Sequence, residues 1–488
     1  TGWSGERYMP RLKTDYDLDL DRVPFDFHEI VGALAPRWFL SVSPLRDRNF
    51  EVTGVMRVIP EARKVYEWKN VPERLVVRHP NAEHDFPDES RSEAYAFLDQ
   101  ALAFGEAQAD AVSPKRFTGP WDMEAFSRPP KVRWGRRAGN VQEVFYEGPD
   151  YQGHPTEVFG YYATPEDNSK RPHPAMVLVH GGGGKAFEEW ARLWAERGYV
   201  ALAMDTAGQG PDGNRHLLSG PSQSDEEKFQ AFDLESIKDM WTYHAVAAVL
   251  SGHSLLAAQA EVDAERIGIT GISWGGYLTC LVSGIDHRLK VSVPVYGCGF
   301  LDKNSAWLEP RFAHMTQEQR ELWVACFDPS RYLAGVKCPI LFVNGTNDFA
   351  YPLDSYQRSY EMVPSPVDLC IPVRLPHGHQ QGWAPKEIGW YVDSALGNGT
   401  PPVRPGRAVV VGEKAVLQVS NAGETRSELT FTTDSGPWQE RVWQTHEANL
   451  AVGDQFEALL PTERPLVFYF NVIDSRGAIS SSPHVVLE

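Results

Sequence analysis

The chain has 488 residues, 42% hydrophobic and 23% charged, the make-up of folded domains rather than of a disordered chain, and about two to four domains are expected. Its formal charge of −18, unrelieved by any Lys/Arg cluster, argues against nucleic acid as a partner, and no apolar run is long enough to cross a bilayer. The cysteines (Cys280, Cys298, Cys326, Cys338, Cys370) are odd in number, widely spaced and without a C-x-x-C pair, so neither a disulfide framework nor a zinc site is expected.

The first 111 residues read as strand, aspartate, helix, strand, histidine, helix. The strand-like RWFLSVSPLRD ends on Asp47, RLVVRHPNAEH ends on His84, and the helix-like RSEAYAFLDQAL follows. An aspartate and then a histidine, each after a strand, is the second half of a serine hydrolase triad. The candidate serine upstream is Ser4 in TGWSGERY, but Glu6 stands where a second glycine is needed and no strand precedes it. Ser4 therefore reads as a loop residue, and Asp47 and His84 as vestigial. Two readings of this module stand: the tail of a longer first hydrolase domain, which is favoured, or a structural piece whose open sheet edge docks on the catalytic domain or on a second copy of the chain. The chain opens on Thr1 with no signal-like segment, so the sequence itself assigns no compartment.

From about residue 115 to 400 the rhythm is that of an α/β protein. Strand-like runs lie at 175–180, 199–205, 266–272, 291–297, 338–345 and 368–376, with amphipathic stretches such as FEEWARLWAERG between them. These runs are apolar throughout, which suits strands covered on both faces in a parallel sheet. Ahead of them, 140–148 and 156–165 alternate more and suit an antiparallel edge hairpin. After GNGTPPVRPG (397–406) no helical period remains, and 402–488 reads as a small β-sandwich.

Within RIGITGISWGGYLTCLV, Gly271-Ile272-Ser273-Trp274-Gly275 follows a strand-like run and precedes a helix-like one. A nucleophile on so tight a turn needs neighbours without side chains, and the following helix turns its N–H groups on the reacting carbonyl. Downstream, Asp348 ends PILFVNGTND and His379 lies in LPHGHQQGW after the next strand, in the order Ser…Asp…His. Asp354 is a rival acid that reads better as a helix cap. His377 is a rival base; His379 is preferred because its place after Pro376 nearly matches that of His84 after Pro80. The H-x-H pair lacks further ligands at metal-site spacing, and no metal or cofactor is expected. Upstream, His180 precedes Gly181, Gly182 and Gly183, whose N–H groups, with that of Trp274, are the expected oxyanion donors. A phosphate cradle fails there, because Ala186 replaces the Ser/Thr that must follow Lys185. Trp307, in the aromatic segment 296–312, and Tyr277 are candidates for the substrate pocket.

HGGGG, YVALAMDTAGQG, GISWGGY, GTND and HGH together resemble the α/β-hydrolase group that holds prolyl oligopeptidase-type peptidases, dienelactone hydrolases and acetyl xylan esterases. PFDFHEIVGALAPRWFLSVSPLRDRNF and HPNAEHDFP resemble the C-terminal part of a related hydrolase. The resemblance implies an α/β-hydrolase fold at 115–400 between the partial module of 1–111 and an Ig-like β-sandwich at 402–488. It implies a serine esterase using Ser273, Asp348 and His379 on small acyl groups, acetyl by analogy, of a carbohydrate or similar polar ester. Family analogy also favours a secreted or periplasmic location. A dienelactone hydrolase branch is disfavoured because Ser273 stands where cysteine is usual there. A prolyl oligopeptidase-like peptidase is the alternative, although no propeller repeat or anchor for a substrate amino terminus is legible. A carbohydrate-binding protein on a non-catalytic hydrolase scaffold is the second alternative.

Overall fold

Runs of apolar residues with no polar face must bury both sides of a strand, and the chain does this by stacking helices on a mostly parallel sheet. The computed structural model describes all residues except 1–9, 20–21, 103–117, 398, 422 and 452. Ser4 lies outside the described residues. The chain divides into two compact units, Thr1–Arg116 and Phe117–Glu488.

In the first unit β1 (Phe39–Val42) pairs in parallel with β2 (Leu75–Arg78), and the helix Val52–Trp68 connects them. A small core of Ile59, Ala62, Tyr66 and Leu75 sits between that helix and the strands. The helix Asp88–Leu102 follows. This is the order expected from the sequence.

In the second unit β3 (Val132–Ala138), β4 (Val141–Tyr151) and β5 (His154–Ala163) form an antiparallel edge. They continue into β6 (His173–Val179), β7 (Val200–Met204), β8 (Val262–Ile272), β9 (Val291–Val295), β10 (Ile340–Val343) and β11 (Val367–Cys370). The sheet order is β11-β10-β9-β8-β6-β7-β5-β4-β3, parallel from β11 through to β7. β6, β7, β9 and β10 are buried at almost every residue, as their uniform apolar composition requires. The helix Trp241–Ala257 is buried nearly all round and carries no charged residue. This is an α/β-hydrolase sheet, and β8, β9 and β10, adjacent to one another, lead into the loops that carry Ser273, Tyr296 and Asp348.

Residues from Arg404 onward form a separate antiparallel sheet, in which Leu466–Asp474 is a central strand buried along almost its whole length. The two faces of that strand go to different places. Leu466, Phe468, Phe470 and Val472 join Leu417 and Phe431 in a core of their own. Val467 and Tyr469, with Trp443, join the hydrolase core instead. The alternation of side chains along a strand therefore bonds one layer to the other. Among the described residues no helix is long and apolar enough to cross a membrane.

Candidate active site

Ser273 occupies the turn between β8 and the helix Trp274–Ile285, with φ 57° and ψ −116°. A serine at positive φ is strained by about 1–3 kcal/mol, and such strain concentrates where a side chain must be presented at an exact angle. Its N–H donates to the Val295 carbonyl at 2.8 Å, which ties the turn to the end of β9. The flanking glycines are sterically required. A Cβ on Gly271 would lie 2.2 Å from the Gly275 carbonyl oxygen, and one on Gly275 would lie 2.0 Å from that of Val179. Because both obstacles are backbone, Gly275→Ala is expected to destabilise the protein by about 3 kcal/mol, read as a lowered thermal midpoint.

The candidate acid, Asp348, is held tightly. Asp348 follows β10; its Oδ1 accepts from the N–H groups of Ala350 (2.9 Å) and Tyr351 (2.8 Å), and its Oδ2 lies 2.6 Å from a histidine Nδ1. That histidine is His377, not His379. The expected pairing with His379 is thus corrected, and the cause lies just past β9. The Tyr296 hydroxyl donates to the Pro376 carbonyl (2.7 Å), and the Tyr296 ring stacks on His377 with centroids 4.4 Å apart. Phe349 also packs against His377, at 4.8 Å between centroids. Pinned in this way, the residue after Pro376 is the one that reaches the carboxylate. The offset from proline used to choose between the two histidines does not control which imidazole arrives.

His379 opens the next helix, His379–Trp383, and turns to the glycine loop. Its Nε2 accepts the Gly181 N–H at 3.0 Å, and its ring packs against Phe187. Burial, reinforced by the neighbouring His180, pushes its pKa down to about 4, so the imidazole is neutral. A Cβ on Gly181 would lie 2.9 Å from the Ser273 Cβ and 3.3 Å from His379 Nε2, which puts this loop directly over the serine. Gly181 is fixed from its carbonyl side as well. The Thr206 N–H donates to His180 Nε2 (2.9 Å), which leaves His180 Nδ1–H to donate to the Gly181 oxygen at 2.7 Å. Gly182 faces the Trp274 indole, where an added Cβ would come within 3.0 Å of the ring. Gly183 makes the bend at φ 67°. Trp274 is the first residue of its helix, so its N–H has no partner within the helix.

Of the two pocket candidates, Tyr277 is corrected. It is fully buried, and its hydroxyl donates to the Phe327 carbonyl at 2.5 Å, which makes it part of the core. Trp307 is 8% exposed and lies 4.4 Å from the Trp274 ring and 5.3 Å from that of Tyr351, bridging the nucleophile and acid sides. Lys228 escaped the sequence reading. It is almost completely buried, its ammonium sits 4.3 Å from the Trp274 ring centroid, and it is paired with Asp225 at 2.7 Å. Thr206 and Tyr296 were also missed. Tyr296 becomes conspicuous only once the sheet order places β9 between the strands that carry the serine and the acid.

The first unit repeats the acid's geometry. Asp47 Oδ1 accepts from the N–H groups of Asn49 (2.7 Å) and Phe50 (3.0 Å), and its Oδ2 lies 2.9 Å from His84 Nδ1. These are the same relative positions, two and three residues on, as around Asp348. The His84 side chain is 54% exposed, against 13% for His377. Among the described residues no group of three or more His, Cys, Asp or Glu side chains could hold a metal ion.

Residues 131–305 match the family model described as acetyl xylan esterase (AXE1). Curated relatives include the acetyl esterase Axe7A of Xylanibacter ruminicola, 23% identical over 233 residues, covering 44% of this chain and 51% of that one. Another is dipeptidyl-peptidase 5 of Porphyromonas gingivalis, 24% identical over 212 residues, covering 38% of this chain and 27% of that one. The chain thus spans about half, or less, of the length of these relatives. Among solved structures, an acetyl xylan esterase from Paenibacillus sp. R4 aligns with a TM-score of 0.46 at 19% identity, covering 56% of this chain and 92% of that one. With a serine elbow at the end of β8 inside the matched residues, the chain carries an α/β-hydrolase domain that is similar, over those residues, to acetyl xylan esterases.

Proposed function

We propose that the protein hydrolyses small acyl esters, acetyl above all, of a carbohydrate or similar polar alcohol. The observation that carries this reading is Ser273 on its strained elbow within the stretch matching acetyl xylan esterases. In this reading the Ser273 hydroxyl attacks the ester carbonyl and passes its proton to the Nε2 of His377. Asp348 holds Nδ1–H of the same ring and stabilises the imidazolium. The N–H groups of Trp274 and of the 181–183 loop, chiefly Gly181, receive the oxyanion. Since the Gly181 N–H is engaged by His379 at rest, the oxyanion takes over that hydrogen bond. The alcohol leaves with the proton held by His377. Water then repeats the sequence on the acyl-enzyme, releasing the acid and restoring Ser273.

Trp307 supports a short acyl group, because its indole closes the space between Trp274 and Tyr351. Trp307→Ala is expected to raise kcat/KM for nitrophenyl hexanoate relative to acetate by about tenfold or more, since each added methylene accommodated in an apolar pocket is worth roughly 1 kcal/mol. An unchanged chain-length profile removes Trp307 from the acyl site. For the function itself, wild-type protein is expected to be labelled by a fluorophosphonate, to hydrolyse nitrophenyl acetate and to release acetate from acetylated xylan. A preference for dipeptide anilides over every ester overturns the esterase reading in favour of a peptidase.

A further inference from the structure

The C-terminal layer hydrogen-bonds the residue before Asp348 and the end of the strand that leads towards His377. Asn347, the residue before the acid, donates both hydrogens of its side-chain amide to that layer, to the carbonyls of Gln439 (3.0 Å) and Arg441 (2.8 Å). Its Oδ1 accepts from the Thr346 hydroxyl (2.8 Å), which in turn accepts from the N–H of Arg374 (3.0 Å) on the way to His377. Both hydrogens of the amide and its oxygen are used, so its orientation is fixed, and one chain of hydrogen bonds links the histidine loop, the acid loop and segment 437–443.

The accepting segment is itself stiff. The Arg441 guanidinium lies 3.8 Å from the Trp438 ring centroid, its Nε donates to the Gly436 carbonyl (2.9 Å), and the Val442 N–H donates to Asp434 Oδ2 (2.6 Å). A second grip falls at Ile371, just past β11. Its N–H donates to Ser481 Oγ (2.8 Å), and its carbonyl accepts from the Tyr469 hydroxyl (2.8 Å) and Asn471 Nδ2 (3.3 Å). A sugar-binding module on a tether needs no such contacts with the residues next to a catalytic acid. Here Trp443, Val467 and Tyr469 are built into the hydrolase core.

We infer that the C-terminal strands are a positioning element of the active site, with Asn347 as the positioning residue at the joint; the inference rests on the serine esterase reading above. The layer fixes where the carboxylate and imidazole stand, and a shift of about 1 Å there costs on the order of a hundredfold in rate. Asn347→Asp turns the two donors into an oxygen facing two carbonyls at unchanged size, and Asn347→Leu removes the hydrogen bonds altogether. Both are expected to lower kcat for nitrophenyl acetate by about 10- to 100-fold, with KM within about twofold, a shifted pH profile of kcat/KM and the same loss on acetylated xylan. Thr346→Val, which removes the hydroxyl joining Arg374 to Asn347 but leaves the amide's bonds to Gln439 and Arg441, is expected to give a smaller loss of the same kind and serves where an Asn347 variant does not fold. Wild-type kcat and pH profile in the folded variants overturn the inference, as does a defect confined to a raised KM on the polymer, which marks a binding module. Failure of the wild-type protein to label at Ser273 or to cleave any ester is a separate result that removes the functional reading instead.

Discussion

Alanine at position 273 is expected to reduce ester hydrolysis by about 10⁵- to 10⁶-fold and to abolish fluorophosphonate labelling, leaving only what the oxyanion donors and binding achieve without a nucleophile. The substitution removes one hydroxyl from a backbone already fixed by the Val295 carbonyl and by the glycines on either side, so the fold is expected to survive it. Circular dichroism and the thermal midpoint check that the variant is native. If Ser273→Ala still labels and still turns over nitrophenyl acetate, the chemistry belongs to another residue, and the proposed mechanism falls with it.

The second large effect separates the two histidines of LPHGH. His377→Ala is expected to cost on the order of 10⁴-fold or more in kcat, because it removes the only imidazole seen hydrogen-bonded to Asp348 among the described residues. His379→Ala is expected to cost less, about 10- to 100-fold, through a loosened Gly181 loop rather than a lost base. The two variants also differ in how they respond to added imidazole. A free base diffusing into the cavity left by His377 is expected to restore part of the activity, and none where His379 is missing. The reverse ranking, with His379→Ala the more damaging and the one rescued, returns the base to His379 and leaves His377 as a structural partner of the acid.

The ranking touches what the sequence could and could not disclose. The elbow was legible because its causes are local. Gly271 and Gly275 stand two residues to either side of Ser273, and their need for bare Cα atoms follows from a strand turning into a helix. The seat of Asp348 was legible for the same reason, since a carboxylate shortly after a strand that accepts from amides two and three residues further on leaves its mark in a few consecutive residues. The choice between His377 and His379 was not local. It depends on the Tyr296 hydroxyl and ring, contributed by the residue that follows β9, some 80 residues earlier in the chain. No spacing rule within LPHGH carries that information. Tyr277 was misplaced for a related reason: an aromatic four residues past a nucleophile is on the helix face turned to the core, and only the packing of Phe327 and Trp323 around it reveals this. In the C-terminal region the change of texture was legible after residue 400, but its role was not. PLVFYFNVID did hold a clue, because a strand without alternation has two buried faces, and the second face here is the hydrolase domain.

The matched surroundings of Asp47 and Asp348 have a consequence for how such a site is assembled. In both loops the carboxylate is gripped by amides two and three residues further on, so its seat is written into a stretch of four residues and asks nothing of the serine. An acid seat encoded so compactly behaves as a cassette. It keeps its shape without any contact to a nucleophile, and it can be grafted onto another strand end without bringing the rest of the enzyme along. What cannot be carried in the cassette is the imidazole's address, which each copy must obtain from its own surroundings.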